Sequence, residues 1–107
     1  MRIIIAFFLL FFSSHVQAAP LPTFEITLNN GVFTPAFIEV PAKQRIKIKI
    51  HNIGTAPAEF ENLSLRVEKV LAPDVKSFVI VPPLKPGTYD FIDEFHLNGP
   101  GFKIIVK

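Results

Sequence analysis

From Thr23 onward the chain alternates between apolar and polar residues with a period of two. The clearest example is segment 44–52, where three isoleucines alternate with three basic residues: Ile46, Ile48 and Ile50 against Arg45, Lys47 and Lys49. Because successive side chains of a strand point to opposite faces, this pattern predicts a strand with one buried and one solvated face. We expect an antiparallel strand here, since antiparallel sheets commonly have one wet face.

Turn-forming residues divide the rest of the chain into short extended segments. Clusters of Asn, Gly and Pro occur at 29–31, 52–57, 85–87 and 98–101. Between them lie seven or eight apolar or alternating stretches, and none has a helical period. Short strands with regular turn signals are typical of an all-β sandwich or barrel. The sequence therefore predicts a single all-β domain.

The first residues form a separate unit in this prediction. Arg2 precedes an apolar run over 3–12, and small residues follow up to Ala18. This order is typical of a secretory signal peptide, so we expect residues 1–18 to be removed and residues 19–107 to form the domain. A membrane-spanning helix needs about 20 apolar residues. The run is half that length, so we predict no stable membrane insertion after cleavage.

Composition restricts the chemistry of the exported domain. The chain has 0 cysteines, which excludes disulfides, thiol nucleophiles and thiolate metal ligands. Its formal net charge is +2, and removal of Arg2 leaves a value near +1 without a run of basic residues. Binding to nucleic acid or to an anionic membrane is therefore not predicted.

Two short segments place metal-ligand residues on either side of a phenylalanine: Glu59-Phe60-Glu61 and Glu94-Phe95-His96. In an extended strand the outer residues of each segment project to one face and the phenylalanine to the other. The two segments together would form a metal site of carboxylates and one imidazole. The alternative is that the glutamates are solvated partners of lysines and that the histidine is an exposed loop residue.

Four segments follow one another in a characteristic order: Pro57-Ala58-Glu59-Phe60-Glu61, Glu68-Lys69, Leu84-Lys85-Pro86-Gly87 and Glu94-Phe95-His96. In these segments, and in general over residues 23–107, the chain resembles the cupredoxin-like domains of a Cys-free branch found in bacterial periplasmic iron-uptake systems. The resemblance implies a Greek-key β-sandwich that binds copper or ferric iron. It also implies that the domain assists a membrane iron permease.

The same resemblance shows which metal chemistry is absent. A blue-copper site uses a thiolate and two imidazoles. Here the position of the thiolate falls on Asp93, and only His96 matches an expected ligand. Carboxylate oxygens with one imidazole favour Fe(III), Mn(II) or a tetragonal Cu(II) site instead.

We therefore predict a periplasmic or secreted metal-binding protein with five candidate ligands: Glu59, Glu61, Glu68, Glu94 and His96. No catalytic motif is present, so the only enzymatic activity considered is metal-dependent oxidation of Fe(II). The alternative function is a metal-free interaction module whose acidic residues form an exposed docking face for a membrane partner.

Three further residues are assigned from strand parity. Asp93 is expected on the face opposite Glu94, which makes it a weaker ligand candidate. His51 should point outward with the lysines of its strand, in a structural role. Tyr89 is expected to have a core or corner role.

Overall fold

The computed structural model describes residues 20–107. The predicted signal peptide, residues 1–18, and its cleavage after Ala18 lie outside this range. Within it, no helix is long and apolar enough to cross a bilayer.

The described residues form nine strands, one or two more than the sequence pattern predicts. The strands are β1 (Thr23–Asn29), β2 (Val32–Thr34), β3 (Phe37–Val40), β4 (Ile46–Asn52), β5 (Ala58–Asn62), β6 (Val67–Leu71), β7 (Lys76–Val81), β8 (Gly87–Phe91) and β9 (Phe102–Val106). Two single 3₁₀ turns, Leu63–Leu65 and Glu94–His96, interrupt the strands. The predicted all-β class is confirmed.

The strands pair into two sheets and a separate hairpin. The first sheet has the order β2-β1-β4-β7, the second has the order β3-β9-β8, and β5 pairs with β6. Strand β4 is antiparallel to β7 but parallel to β1, and β3 is parallel to β9. The expectation of an antiparallel strand therefore holds for the pairing with β7 but not for the pairing with β1, because the alternation of side chains does not encode the direction of the neighbouring strand.

The additional strand arises because segment 32–40 is divided into two strands, which the sequence pattern does not reveal. No Gly or Asn turn signal separates residues 33–40, but β2 joins the first sheet and β3 joins the second. Pro35 lies between them and has no N–H group to donate to a ladder. The chain changes sheets at this point.

The core lies between the sheets and contains four buried phenylalanines: Phe33, Phe60, Phe91 and Phe102. Their ring centroids are 4.5–6.1 Å apart in the observed pairs. The three isoleucines of β4 are also buried, at 0–1% exposure, as their period of two predicts. Since no disulfide is available, this apolar packing holds the domain together.

Backbone hydrogen bonds attach the β5–β6 hairpin to the end of the second sheet. Glu61 N–H donates to the carbonyl oxygen of Ile92 at 3.1 Å, and Ile92 N–H donates to that of Glu61 at 3.0 Å. This isolated bridge brings β5 next to the chain that leaves β8. The two acidic segments singled out in the sequence consequently meet at one end of the sandwich.

Candidate metal centre

Strand β5 positions two of the candidate ligands. Phe60 is fully buried and stacks on Phe91 with 4.5 Å between the ring centroids. Because the strand alternates, the side chains of Glu59 and Glu61 lie on the face opposite the aromatic core. Both are nevertheless buried, with only 2% and 4% of their surface exposed. The parity prediction for this segment agrees with the structure.

The second acidic segment does not have the predicted conformation. Residues Glu94–His96 form a 3₁₀ turn, so Glu94 and His96 do not project from one face of a strand. Asp93 caps this turn by accepting a hydrogen bond from the Phe95 N–H at 3.0 Å. A short acidic side chain at this position competes well with strand pairing, which explains why the extended assignment was wrong.

Three carboxylates converge at this end of the sandwich. Glu59, Glu61 and Glu94 each offer an oxygen, and these oxygens all lie within 4.8 Å of one another. Glu94 is exposed and forms the solvent side of the group. We call Glu59, Glu61 and Glu94 the carboxylate cluster.

Glu68 lies beside the carboxylate cluster. It pairs in register with Glu61 across the β5–β6 hairpin. Its carboxyl group also contributes, after burial and Glu61, to the raised pKa of Glu59. The hairpin therefore adds a fourth acidic group, and this one is exposed to solvent.

His96 lies outside the carboxylate cluster. Its Nδ1 is 2.8 Å from Oδ2 of Asp93, and about a quarter of its side chain is exposed. The ring packs closely on Gly31, where a Cβ atom would come within 2.7 Å of the His96 Cβ. Gly31 also has a φ of +90°, a region that favours glycine. The tautomer with Nδ1 protonated leaves the Nε2 lone pair free.

Asp93 joins these parts of the site. Its Oδ1 accepts hydrogen bonds from the backbone N–H groups of Glu59, at 3.1 Å, and Phe95, at 3.0 Å, while Oδ2 pairs with His96. The residue is 2% exposed, whereas its neighbour Glu94 is exposed, so the two side chains lie in different surroundings, as strand parity predicts. The sequence signal that could have identified it is an acidic cap three residues before a histidine.

Asp93→Ala is expected to lower the free energy of unfolding by about 2–4 kcal/mol, because it leaves the buried N–H of Glu59 without an acceptor and removes two further contacts. Urea unfolding followed by circular dichroism measures this change. Asp90→Ala is the matched control, since Asp90 is exposed and pairs with Lys103 on the surface. The control should lose less than about 1 kcal/mol. Equal losses in both variants would contradict the role assigned to Asp93.

Two buried oxygens of the carboxylate cluster lack partners. Apart from protons shared among the carboxyl groups themselves, Oε1 of Glu59 and Oε2 of Glu61 have no hydrogen-bond donor within residues 20–107. Burial raises the pKa of Glu59 from 4.5 to about 8, and the hydrogen bond and negative charge of Glu61 act in the same direction. Buried carboxylates in native proteins are normally paired with donors or cations. A cation would satisfy this requirement.

The chemistry of the ligand atoms limits which cation fits the carboxylate cluster. The cluster offers oxygen atoms only, and hard cations prefer such ligands. A blue-copper centre does not fit, because the chain has 0 cysteines. Asp93, which falls at the position of the thiolate, instead accepts a hydrogen bond from the backbone N–H of Glu59.

The structure places the remaining two residues, His51 and Tyr89, where strand parity predicts them. His51 is half-buried and pairs in register with Thr27 and Lys76 on the outer side of the first sheet. The Tyr89 hydroxyl donates a 2.7 Å hydrogen bond to the carbonyl oxygen of Lys85, which closes the turn before β8.

Comparison with protein families places these features in a known group. Residues 2–106 match the family described as the cupredoxin-like domain. The chain belongs to this cupredoxin-like family and contains no cysteine. It is also 37% identical over 82 residues to an uncharacterized protein of Rickettsia prowazekii (strain Madrid E), covering 76% of this chain. The match spans 66% of that relative's length, slightly under two thirds.

Solved structures with the same fold include copper proteins. The chain is similar to the reduced auracyanin of Roseiflexus castenholzii, with a TM-score of 0.68 and 17% identity over 83% of this chain and 99% of that one. It is also similar to the metal-binding domain of the Streptococcus pneumoniae D39 Cu(I)-exporting P-type ATPase CopA, with a TM-score of 0.69 and 15% identity over 79% and 84%. At these identities the likeness shows the fold, and the predicted cupredoxin-like β-sandwich is confirmed.

Proposed function

We propose that this protein is a periplasmic metal-binding member of the cupredoxin-like family that holds a hard cation in its carboxylate cluster. Glu59, Glu61 and Glu94 would supply the first ligands, and Glu68 is close enough to contribute. The observation that carries the proposal is the pair of buried, unpartnered oxygens on Glu59 and Glu61. Without a cation or a retained proton, these groups would be uncompensated negative charges in a desolvated place.

Ferric iron is the cation that we favour. The cluster contains three carboxylates and excludes His96, so its ligands are harder than the carboxylate and imidazole set predicted from the sequence. The harder ligand set favours Fe(III) over Cu(II). Mn(II) is the divalent ion that prefers similar ligands. His96 stays a candidate ligand at the edge of the site through its free Nε2.

The biological role that we propose is to hold iron during its uptake by a membrane permease. Its support is the order of four sequence segments shared with the Cys-free domains of iron-uptake systems, together with the acidic site. Export is supported by the apolar leader in the sequence. Finding an iron permease gene adjacent to the gene for this protein would support the role, and an unrelated receptor gene there would count against it.

The alternative of a metal-free docking module is disfavoured by burial. That alternative requires the acidic residues to form an exposed face, but Glu59 and Glu61 are 2% and 4% exposed. A partner protein cannot contact side chains that are covered in this way. Of the four glutamates predicted as ligands, only Glu68 and Glu94 are exposed enough to take part in such a surface.

The proposal is tested by titrating the untagged purified protein with metal ions. Isothermal titration calorimetry with Fe(III) presented as its nitrilotriacetate complex, and with Cu(II), Mn(II) and Mg(II), ranks the ions. We expect one equivalent of Fe(III) to bind with a Kd below about 10 μM after correction for the competing chelator. A protein that binds no ion of the series at this level would contradict the proposal.

A further inference from the structure

The outer side of the first sheet contains a concave surface that the sequence did not predict. A groove of about 700 Å³ runs across β1, β4 and β7. Its charged lining consists of Lys47, Lys49 and Lys76 and one acidic residue, Glu25, and His51 and Phe78 also line it. We call this surface the basic groove. The three lysines come from two strands that are far apart in sequence, so no run of basic residues marks them.

The lysines of the basic groove lack acidic partners. Within residues 20–107, none of the three ammonium groups lies within 4.0 Å of a carboxylate oxygen. Glu25 is opposite Lys49 in the register of β1 and β4 but forms no ion pair with it. Lys47 instead lies over the ring of Phe78, 4.3 Å from its centroid. The groove therefore has a net positive charge beside an aromatic ring.

Apolar side chains border the same surface. Phe78 and Ile80 lie two residues apart on β7 and are 49% and 40% exposed. In register they are opposite Lys49 and Lys47 respectively. Each of the two lysines of β4 consequently has a large apolar neighbour on β7. This combination matches a ligand that presents carboxylates and an apolar side chain on the same face.

The spacing and shape of the groove indicate a polypeptide ligand. Residues two apart on a strand, such as Lys47 and Lys49, are separated by about 6.6 Å, which is also the repeat of alternate side chains in an extended peptide. An extended acidic segment can therefore present one carboxylate to each lysine. A concave surface admits a narrow chain but does not fit against a flat bilayer.

We propose that the basic groove binds an extended acidic segment of a partner protein, with carboxylates at alternate positions facing Lys47 and Lys49. Lys76 extends the positive surface on β7, and an apolar side chain of the segment packs on Phe78. The groove shares no residue with the carboxylate cluster. The inference is thus independent of metal binding.

The experiment uses a fluorescent acetylated octapeptide of alternating Glu and Ser, and the corresponding peptide of alternating Gln and Ser. Fluorescence anisotropy at about 20 mM salt should show saturable binding of the Glu peptide, weakened at 150 mM salt by screening. The variant Lys47→Gln/Lys49→Gln/Lys76→Gln is expected to bind it at least about tenfold more weakly. The Gln peptide should bind at least about tenfold more weakly to the unchanged protein for the same reason.

The control variant Lys43→Gln/Lys85→Gln/Lys103→Gln removes the same charge from exposed positions outside the groove. It should retain the peptide affinity within about twofold. Equal losses in the two triple variants would overturn the inference, because they would reflect net charge alone. The double variant Lys49→Gln/Lys76→Gln keeps the contact between Lys47 and Phe78, so it tests the groove if the triple variant unfolds.

An assay with lipid vesicles distinguishes a peptide ligand from a membrane surface. Phosphatidylcholine vesicles with and without 30% phosphatidylglycerol serve as probes in a sedimentation assay. We expect neither preparation to retain the protein. Retention by the anionic vesicles without binding of the Glu peptide would overturn the inference in favour of a lipid surface. Failure of both probes to bind would overturn it as well, whatever the result of the metal titration.

Discussion

The variant Glu59→Gln/Glu61→Gln is expected to bind Fe(III) at least about 100-fold more weakly than the unchanged protein, equivalent to about 2.7 kcal/mol of binding free energy. Two of the three clustered carboxylates are lost, while glutamine keeps nearly the same shape. Competition with nitrilotriacetate, followed by the absorbance of bound iron, measures the affinity. The fold should persist, because Phe60 and the rest of the aromatic core are unchanged.

A matched control isolates the cluster from overall charge. Glu25→Gln/Glu39→Gln makes the same chemical change at two exposed positions that belong to strands β1 and β3. The control should bind Fe(III) within about twofold of the unchanged protein, since exposed carboxylates at a distance are screened by solvent. If the cluster variant loses less than about threefold, Glu59 and Glu61 are not ligands and the proposed function is wrong.

The stability of the metal-free protein is expected to fall as the pH rises from about 5 to 8. Glu59 has a pKa of about 8 in the folded protein and 4.5 as the ordinary value, so between these values the folded protein holds a proton that the unfolded chain has released. Stability falls with pH wherever the folded state binds more protons. The loss should be about 3–5 kcal/mol. The groups that face Glu59 are Glu61, Glu68 and Glu94, and its backbone N–H is bound by Asp93.

Urea unfolding across this pH range, with metal removed by chelation, measures the effect. Glu59→Gln should flatten the profile and be more stable than the unchanged protein at pH 8. Glu39→Gln should leave the slope unchanged, because Glu39 is exposed and pairs only with Lys107 within the described residues. Adding Fe(III) at about 100 times its Kd should restore about 2.7 kcal/mol at pH 8. If the stability of the metal-free protein rises from pH 5 to 8, the folded protein does not retain a proton on Glu59 in this range.

The sequence predicted the positions that depend on strand periodicity. The isoleucines of β4 and the segment Glu59–Glu61 follow the period of two, because one face of each strand must pack against the core. Burial of Phe60 fixes the side of the strand on which the carboxylates lie. Strand periodicity was therefore sufficient to predict the fold class and to place Glu59 and Glu61 on the same side of β5.

Other parts of the site depend on interactions between distant segments, which periodicity does not record. The Glu94–His96 turn is stabilised by Asp93, whose Oδ1 also accepts a hydrogen bond from the backbone N–H of Glu59, 34 residues earlier. The basic groove likewise requires β4 and β7 to be neighbours. Neither contact produces a pattern within one segment. The sequence therefore grouped His96 with the carboxylates, whereas the structure separates it from the cluster.

The most direct test of the proposed metal site is to locate the ion. Crystals of the protein grown with Fe(III) and measured at the iron absorption edge give an anomalous difference map that shows the position of each bound iron. We predict one main peak within about 2.5 Å of carboxylate oxygens from Glu59, Glu61 and Glu94, a distance typical of metal–oxygen bonds. A main peak elsewhere, with the oxygens of these three residues free of metal, would contradict the account.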